Sequence, residues 1–308
     1  MSQAHTAPTY KSGSKSVAPS GNQASEESRG GAAHFLGTLA AELSGGTVDL
    51  PCFPDVVIRI RKALDDPKIK PEQAVTIVGA EPRLAAKLLQ TASSAAFNPS
   101  GRPLTDLRAA ITRLGHQLVQ SAAMSFAVQQ MKDEKSLRAV STQLSALWNE
   151  SVAVASIAQV VARRTKIAPD GAFLTGLLHG IGRLYILVRS ASHAAQYGRD
   201  PDFLELVSSW HASIGKAVLE NWGFAQEISD AVGDQGDYER KKRSLPELTD
   251  VLMVSMIMGE ALQKPAPREV DMEGIAAFQT IGLSASDCSD IMRHAEYALG
   301  SLHETLGC

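Results

Sequence analysis

From His34 to the C-terminus the apolar residues recur every three or four positions, and nowhere do they alternate over a run bounded by turn residues. Such spacing lines one face of a helix, whereas a half-buried strand needs a period of two. The fold class expected is all-α, with helices delimited by proline and glycine. Pro71 and Pro82 suit first turns, and Gly79 closes the segment between them. Thr105 is expected to cap a helix carrying Leu107, Ala110, Ile111 and Leu114, which Gly115 ends. The proline-free stretch 137–164 should form the longest helix. Another helix starts at Pro201, and one running through His211 to Trp222 is stopped by Gly223. Ser244 and Glu247 read as a capping pair ahead of Leu248, and a final helix after Ser284 should bury Cys288, Ile291, Ala295, Leu299 and Leu302.

Residues 1–33 contain no Leu, Ile, Phe or Trp and are rich in Ser, Gly, Ala, Pro and Gln. Too little apolar area is available there to offset chain entropy, so a disordered tail is expected. The remaining chain is long enough for one large domain or two modest ones. Its 30 basic and 33 acidic residues leave a net charge of −3, which gives no global drive toward nucleic acid or anionic lipid. Cys52, Cys288 and Cys308 form no CxxC pair, which fits a reducing compartment and argues against a disulfide framework or structural zinc. Apolar runs fall short of a membrane span and no secretory leader is recognisable, so the cytoplasm is expected.

The stretch Gly176-Leu177-Leu178-His179-Gly180-Ile181-Gly182 is the most informative motif. It resembles the signature of the HD phosphohydrolase superfamily, Gly-Leu-Leu-His-Asp-Ile-Gly, with glycine in place of the metal-binding aspartate. Further motifs flank it: Leu50-Pro51-Cys52-Phe53-Pro54, Glu81-Pro82-Arg83-Leu84, Ala92-Ser93-Ser94-Ala95-Ala96-Phe97, Leu147-Trp148, Trp210-His211-Ala212-Ser213 and Trp222-Gly223-Phe224. In this order and spacing the chain resembles the HDOD family, the HD-related output domains of bacterial signalling proteins. Ser93 and Ala225 depart from the family pattern, where asparagine and proline are usual.

The resemblance implies a helical bundle over 34–135 and an HD-like helical subdomain over 136–240, together an HDOD domain over 34–240. Residues 241–308 would supply C-terminal helices packing on the HD-like part. It also implies a signalling or regulatory role without established catalysis. Partners would be signalling proteins such as a response regulator, a cyclic-di-nucleotide enzyme or a kinase, in a cytoplasmic pathway; a homodimer is compatible, and no cofactor is expected.

A working HD site needs imidazole and carboxylate ligands to bind a cation that activates water. Matching the motifs, Glu150 stands at the first histidine's position, His179 keeps the signature histidine, and Gly180 replaces the aspartate. His211 matches a histidine of active relatives; Gln235 and Gly236 fall at a later His-His pair, and Gly259 or Glu260 near the last aspartate. Two readings follow. Glu150, His179 and His211 converge as a reduced metal site with phosphohydrolase activity, or the histidines are hydrogen-bonded interior residues of an emptied pocket and the chain is not an enzyme. The second is expected, since several ligands are missing together.

Other features have ordinary explanations. The basic run Arg240-Lys241-Lys242-Arg243 reads as a solvated connector rather than a phosphate-binding patch. Trp148 and Trp222 read as core anchors, and Met253, Met256 and Met258 as core filling.

Overall fold

The computed structural model describes residues 21–46, 48, 50–51, 53–66, 68–94, 98, 104, 106–193, 201–263 and 274–306. All regular structure among them is helical, as expected. In chain order the helices are α1 (Gly21–Ser44), α2 (Asp55–Asp65), α3 (Pro71–Gly79), α4 (Pro82–Ser93), α5 (Leu107–Asp133), α6 (Ser141–Ala162), α7 (Pro169–Leu178), α8 (Ile181–Arg189), α9 (Pro201–Asn221), α10 (Gln226–Gly233), α11 (Leu248–Gln263), α12 (Ala276–Ile281) and α13 (Ala285–Leu306). A 3-10 turn, Lys135–Val140, leads into α6.

Residues 1–20 of the expected tail, Thr105, Cys52, Cys308 and the stretch 95–97 lie outside the described residues, as do the side chains of Leu299 and Leu302. Within them, α1 extends back to Gly21, and Leu36, Leu39 and Leu43 are buried in the core. Expectations for the helix ends need three corrections. Asp106, whose carboxylate accepts the Arg108 amide at 3.0 Å, caps α5. The capping pair of α11 is Glu247 with Asp250, whose carboxylate accepts the Glu247 amide at 2.8 Å, because the Glu247 carboxylate is taken by Arg240 and Arg243. The stretch 137–164 does not form the longest helix. Its start is the 3-10 turn, α6 has 22 residues, and α1 with 24 exceeds it.

Gly115, at φ +75°, breaks the α5 segment into two helical arms, a conformation that a side chain would strain. Gly223, also at φ +75°, stops α9 while the Phe224 amide reaches back to the Leu219 carbonyl at 2.9 Å.

Helix α6 is the axis of the fold. Its first half joins the large core, with Leu144, Leu147, Trp148 and Val152 buried among side chains of α2 to α9. Its second half, Ile157 to Ala162, meets Val251, Met253, Val254 and Met258 of α11, Phe278 of α12 and Ile291 of α13. Two stretches, Lys135–Ala162 and Pro169–Arg189, prove long and apolar enough for a membrane span, contrary to expectation; 67% and 83% of their most apolar windows are buried inside the fold. Helix α1 packs on α9, where Asn221 donates to the Leu43 carbonyl and Arg189 of α8 grips the Glu42 carboxylate at 2.8 and 3.2 Å.

Arg61 joins α2 to the end of α9. Its guanidinium donates to the Trp222 carbonyl and, at 2.7 Å, to the Gly223 carbonyl, and lies 4.2 Å over the Phe224 ring. It thereby satisfies the open C-terminal end of α9. Arg61→Met keeps most of the packing and strands those carbonyls, so it should cost about 2 kcal/mol. Urea unfolding checks this, and a loss well under half that size would mean that packing alone makes the joint.

Candidate functional site

The signature stretch forms the tight junction between α7 and α8. His179 follows the last residue of α7 and Gly180 precedes the first of α8. Glycine is demanded at two of its positions by neighbouring backbone. A Cβ on Gly176 would lie 2.6 Å from the Ala155 Cα of α6, and one on Gly182 would lie 1.8 Å from the His211 carbonyl oxygen of α9. These glycines let α7 settle on α6 and α8 on α9, which brings Glu150, His179 and His211 into one neighbourhood. At Gly180 a Cβ would meet only the Leu147 side chain, at 2.9 Å, and the Ser151 hydroxyl, at 3.2 Å.

A residue that the sequence reading missed lies at the centre. Arg183 of α8 donates to both Glu150 carboxylate oxygens, at 2.7 and 3.1 Å, and its Nη2 lies 3.2 Å from His179 Nε2. His179 is fully buried, and its Nδ1 lies 2.7 Å from the Gly176 carbonyl. A carbonyl only accepts and a guanidinium only donates, so the ring carries its proton on Nδ1 and accepts at Nε2. Gln235 closes the site from behind, donating from Nε2 to the carbonyls of His179 at 3.2 Å and Val232 at 2.9 Å. Glu150 and Arg183 are about one third exposed, so the site opens to solvent on their side.

Burial alone would push the Glu150 carboxyl up. The bidentate Arg183 guanidinium outweighs it and holds the acid down at about 2. His211 has the opposite environment. Burial first, and then the positive charge of Arg183, pushes its ring down to about 4, and its buried Nδ1 has no hydrogen-bond partner among the described residues.

A ring kept neutral in the fold and protonated when unfolded contributes stability in full above its unfolded value of 6.5. The contribution is lost as pH falls from 6.5 toward 4. Lowering the pH from 7 to 5 should therefore cost the protein about 1–2 kcal/mol through this ring. Denaturant titrations of the wild type and His211→Gln at both pH values test this. An equal loss in the variant assigns the acid sensitivity elsewhere.

The donor set does not fit a divalent cation. Among the described residues no group of three or more His, Cys, Asp or Glu side chains is arranged to hold one. The lone pairs of Glu150 and His179 that would face a metal are already engaged by a cation, the Arg183 guanidinium. Gly236 and Gly259 carry no donor, and Gly259 packs against Val154. Asp234 lies 3.6 Å from Arg240.

The basic connector is also internally committed. Arg240 is nearly buried, and it and Arg243 bind Glu247, which leaves Lys241 and Lys242 as the run's exposed charges free of ion pairs among the described residues. Trp148, Trp222, Met253 and Met258 are core residues, and Met256 packs against the core.

The family model described as HDOD domain matches residues 50–238, more than half of the chain. The chain belongs to the HDOD family. The chain is similar to an uncharacterized protein of Treponema pallidum (strain Nichols), 23% identical over 205 residues, in a match that covers 63% of this chain and 39% of that relative. Solved structures share the fold. One is a protein of Shewanella amazonensis SB2B whose name proposes a metal-dependent phosphohydrolase (TM-score 0.68, 23% identity, 89% of this chain and 99% of that one). Another is an HDOD domain protein with unknown function from Geobacter sulfurreducens (TM-score 0.57, 21% identity, 87% and 96% covered). At these identities the likeness concerns the HDOD fold alone.

Proposed function

We propose that this HDOD chain is a non-catalytic regulatory module that acts by protein contact in a bacterial cytoplasmic signalling pathway. The observation that carries this reading is Arg183. A guanidinium bonded to Glu150 and facing His179 Nε2 supplies fixed positive charge where an HD hydrolase would use an exchangeable cation. Fixed charge stabilises the helix junction, but it has no open coordination position from which to activate water. The glycines that seat α7 and α8 support the same reading, because they preserve the helical frame independently of any chemistry. Partners of the expected kind, a response regulator, a cyclic-di-nucleotide enzyme or a kinase, would then meet the outer surface of this frame.

The name of the Shewanella protein favours a second reading, metal-dependent phosphohydrolysis, in which Glu150 and His179 exchange Arg183 for a metal. Metal analysis of protein purified without chelators, paired with manganese-supplemented assays on a phosphodiester and a cyclic dinucleotide, separates the two. The contact-module reading expects substoichiometric metal and no turnover. One equivalent of metal, with turnover abolished in His179→Ala, would sink it.

A further inference from the structure

We infer that the open groove between α2 and α3 receives an acidic amphipathic helix of a partner protein. The inference rests on the contact-module reading and adds to it a surface and a ligand chemistry. The groove has a volume of about 640 Å³. Its apolar lining includes Val56, Ile69 and Ile77, half-buried side chains that pack on the core from below and leave their upper surfaces uncovered. One rim is a stripe of α2 carrying Arg59 and Lys62, three residues apart and both exposed. Neither makes an ion pair or hydrogen bond among the described residues, although most other arginines of the fold do. Two like charges on one helical face repel each other, and an anionic partner would relieve that repulsion.

The opposite rim, on α3, presents Gln73 and Thr76, which carry no charge. The nearby Glu72 carboxylate is engaged by Arg108 at 2.7 Å. Asp66, at the end of the groove, is the one acid in the lining, and its Oδ1 accepts the Lys68 amide at 2.8 Å. The charge left over is positive and lies along one side of an apolar trough.

Two neighbouring helices of 11 and 9 residues make a trough about 15 Å long, which fits two to three turns of a third helix. That is the helix-in-groove mode, with apolar anchors at i, i+3 or i+4, and i+7 and with carboxylates on the flank facing Arg59 and Lys62. An anionic membrane would need a convex or flat basic face, and DNA would need more cations than two.

The test is a display selection of helix-forming peptides on the immobilised full chain, followed by binding of the enriched peptides to the wild type and to the double variant Arg59→Glu/Lys62→Glu. Both positions are exposed, so the fold should survive, and thermal unfolding verifies that. Expected are peptides with an apolar i, i+4, i+7 stripe and flanking Glu or Asp, bound about tenfold or more weakly by the double variant. Enriched peptides without acidic residues, or peptides held equally by the double variant, overturn the groove but leave the contact-module reading standing. So does flotation with phosphatidylglycerol vesicles that is lost in the double variant, which would assign the rim to lipid. No enrichment on any surface, together with metal-dependent turnover, overturns both.

Discussion

Gly182→Ala is expected to leave no stably folded protein, the largest effect of a single added methyl at any described glycine. Its Cβ would sit 1.8 Å from the His211 carbonyl oxygen and 2.7 Å from the Gly215 amide nitrogen. Both obstacles are backbone, so no rotamer change relieves them. Helices α8 and α9 would have to separate, opening the core around Ile181, Ile214 and Val218. A cost above about 4 kcal/mol follows, a large share of the 5–15 kcal/mol that holds an ordinary domain together. Gly176→Ala should rank second, because its Cβ meets the Ala155 Cα at 2.6 Å.

Gly180→Ala should cost only about 1 kcal/mol, since the Leu147 side chain can yield. The order Gly182, Gly176, Gly180 inverts what metal chemistry would rank, where the position beside the histidine matters most. Soluble yield and thermal unfolding of the three variants decide it. A Gly182→Ala protein melting within about 5 °C of the wild type would show that the close approach of α8 and α9 is not needed for the fold.

Much of this was legible in the sequence, for reasons that can be traced to particular residues. Helical periodicity and the prolines at 71, 82 and 201 locate helices because backbone constraints are local. The junction of α7 and α8 was marked by the motif around Gly180, whose glycines seat the two helices. The helix start at Glu247 was missed because several side chains compete there. Arg240 and Arg243 decide which carboxylate remains free to cap, and both act from outside the helix.

Arg183 was missed for a related reason. It stands four residues after His179, one turn along the chain, and that spacing was the available signal. Its partner Glu150 is 33 residues away on another helix, so the pair exists only once α8 has settled on α6. Arg61 is similar: its two acceptors lie more than 160 residues downstream.

Arg183→Met should destabilise the protein by about 2–3 kcal/mol at neutral pH. Breaking a buried pair by removing one partner costs about 3–5 kcal/mol, but both side chains here are about 30% exposed, and solvent screens part of that. What the variant leaves behind is a carboxylate that burial pushes up, with the guanidinium that opposed burial removed. The sign of the pH dependence follows. In the wild type Glu150 titrates at about 2 against 4.5 when unfolded, so its contribution is complete above 4.5 and is lost as pH falls toward 2. Without Arg183 the folded value moves up and that contribution shrinks, so the gap between wild type and variant should narrow as pH is lowered from 6 to 3.

His211 supplies a second readout. Losing the arginine's charge lets its ring rise from about 4 back toward 6.5, which weakens the protein's acid sensitivity between pH 7 and 5. Adding Glu150→Gln to Arg183→Met removes the stranded charge and should recover about 2 kcal/mol, a coupling visible in a double-mutant cycle by denaturant unfolding. Additive effects, with a pH-independent gap, would mean that the guanidinium merely decorates the junction. Coupling of the expected size would mean that Glu150 and Arg183 hold α6 and α8 together as a pair.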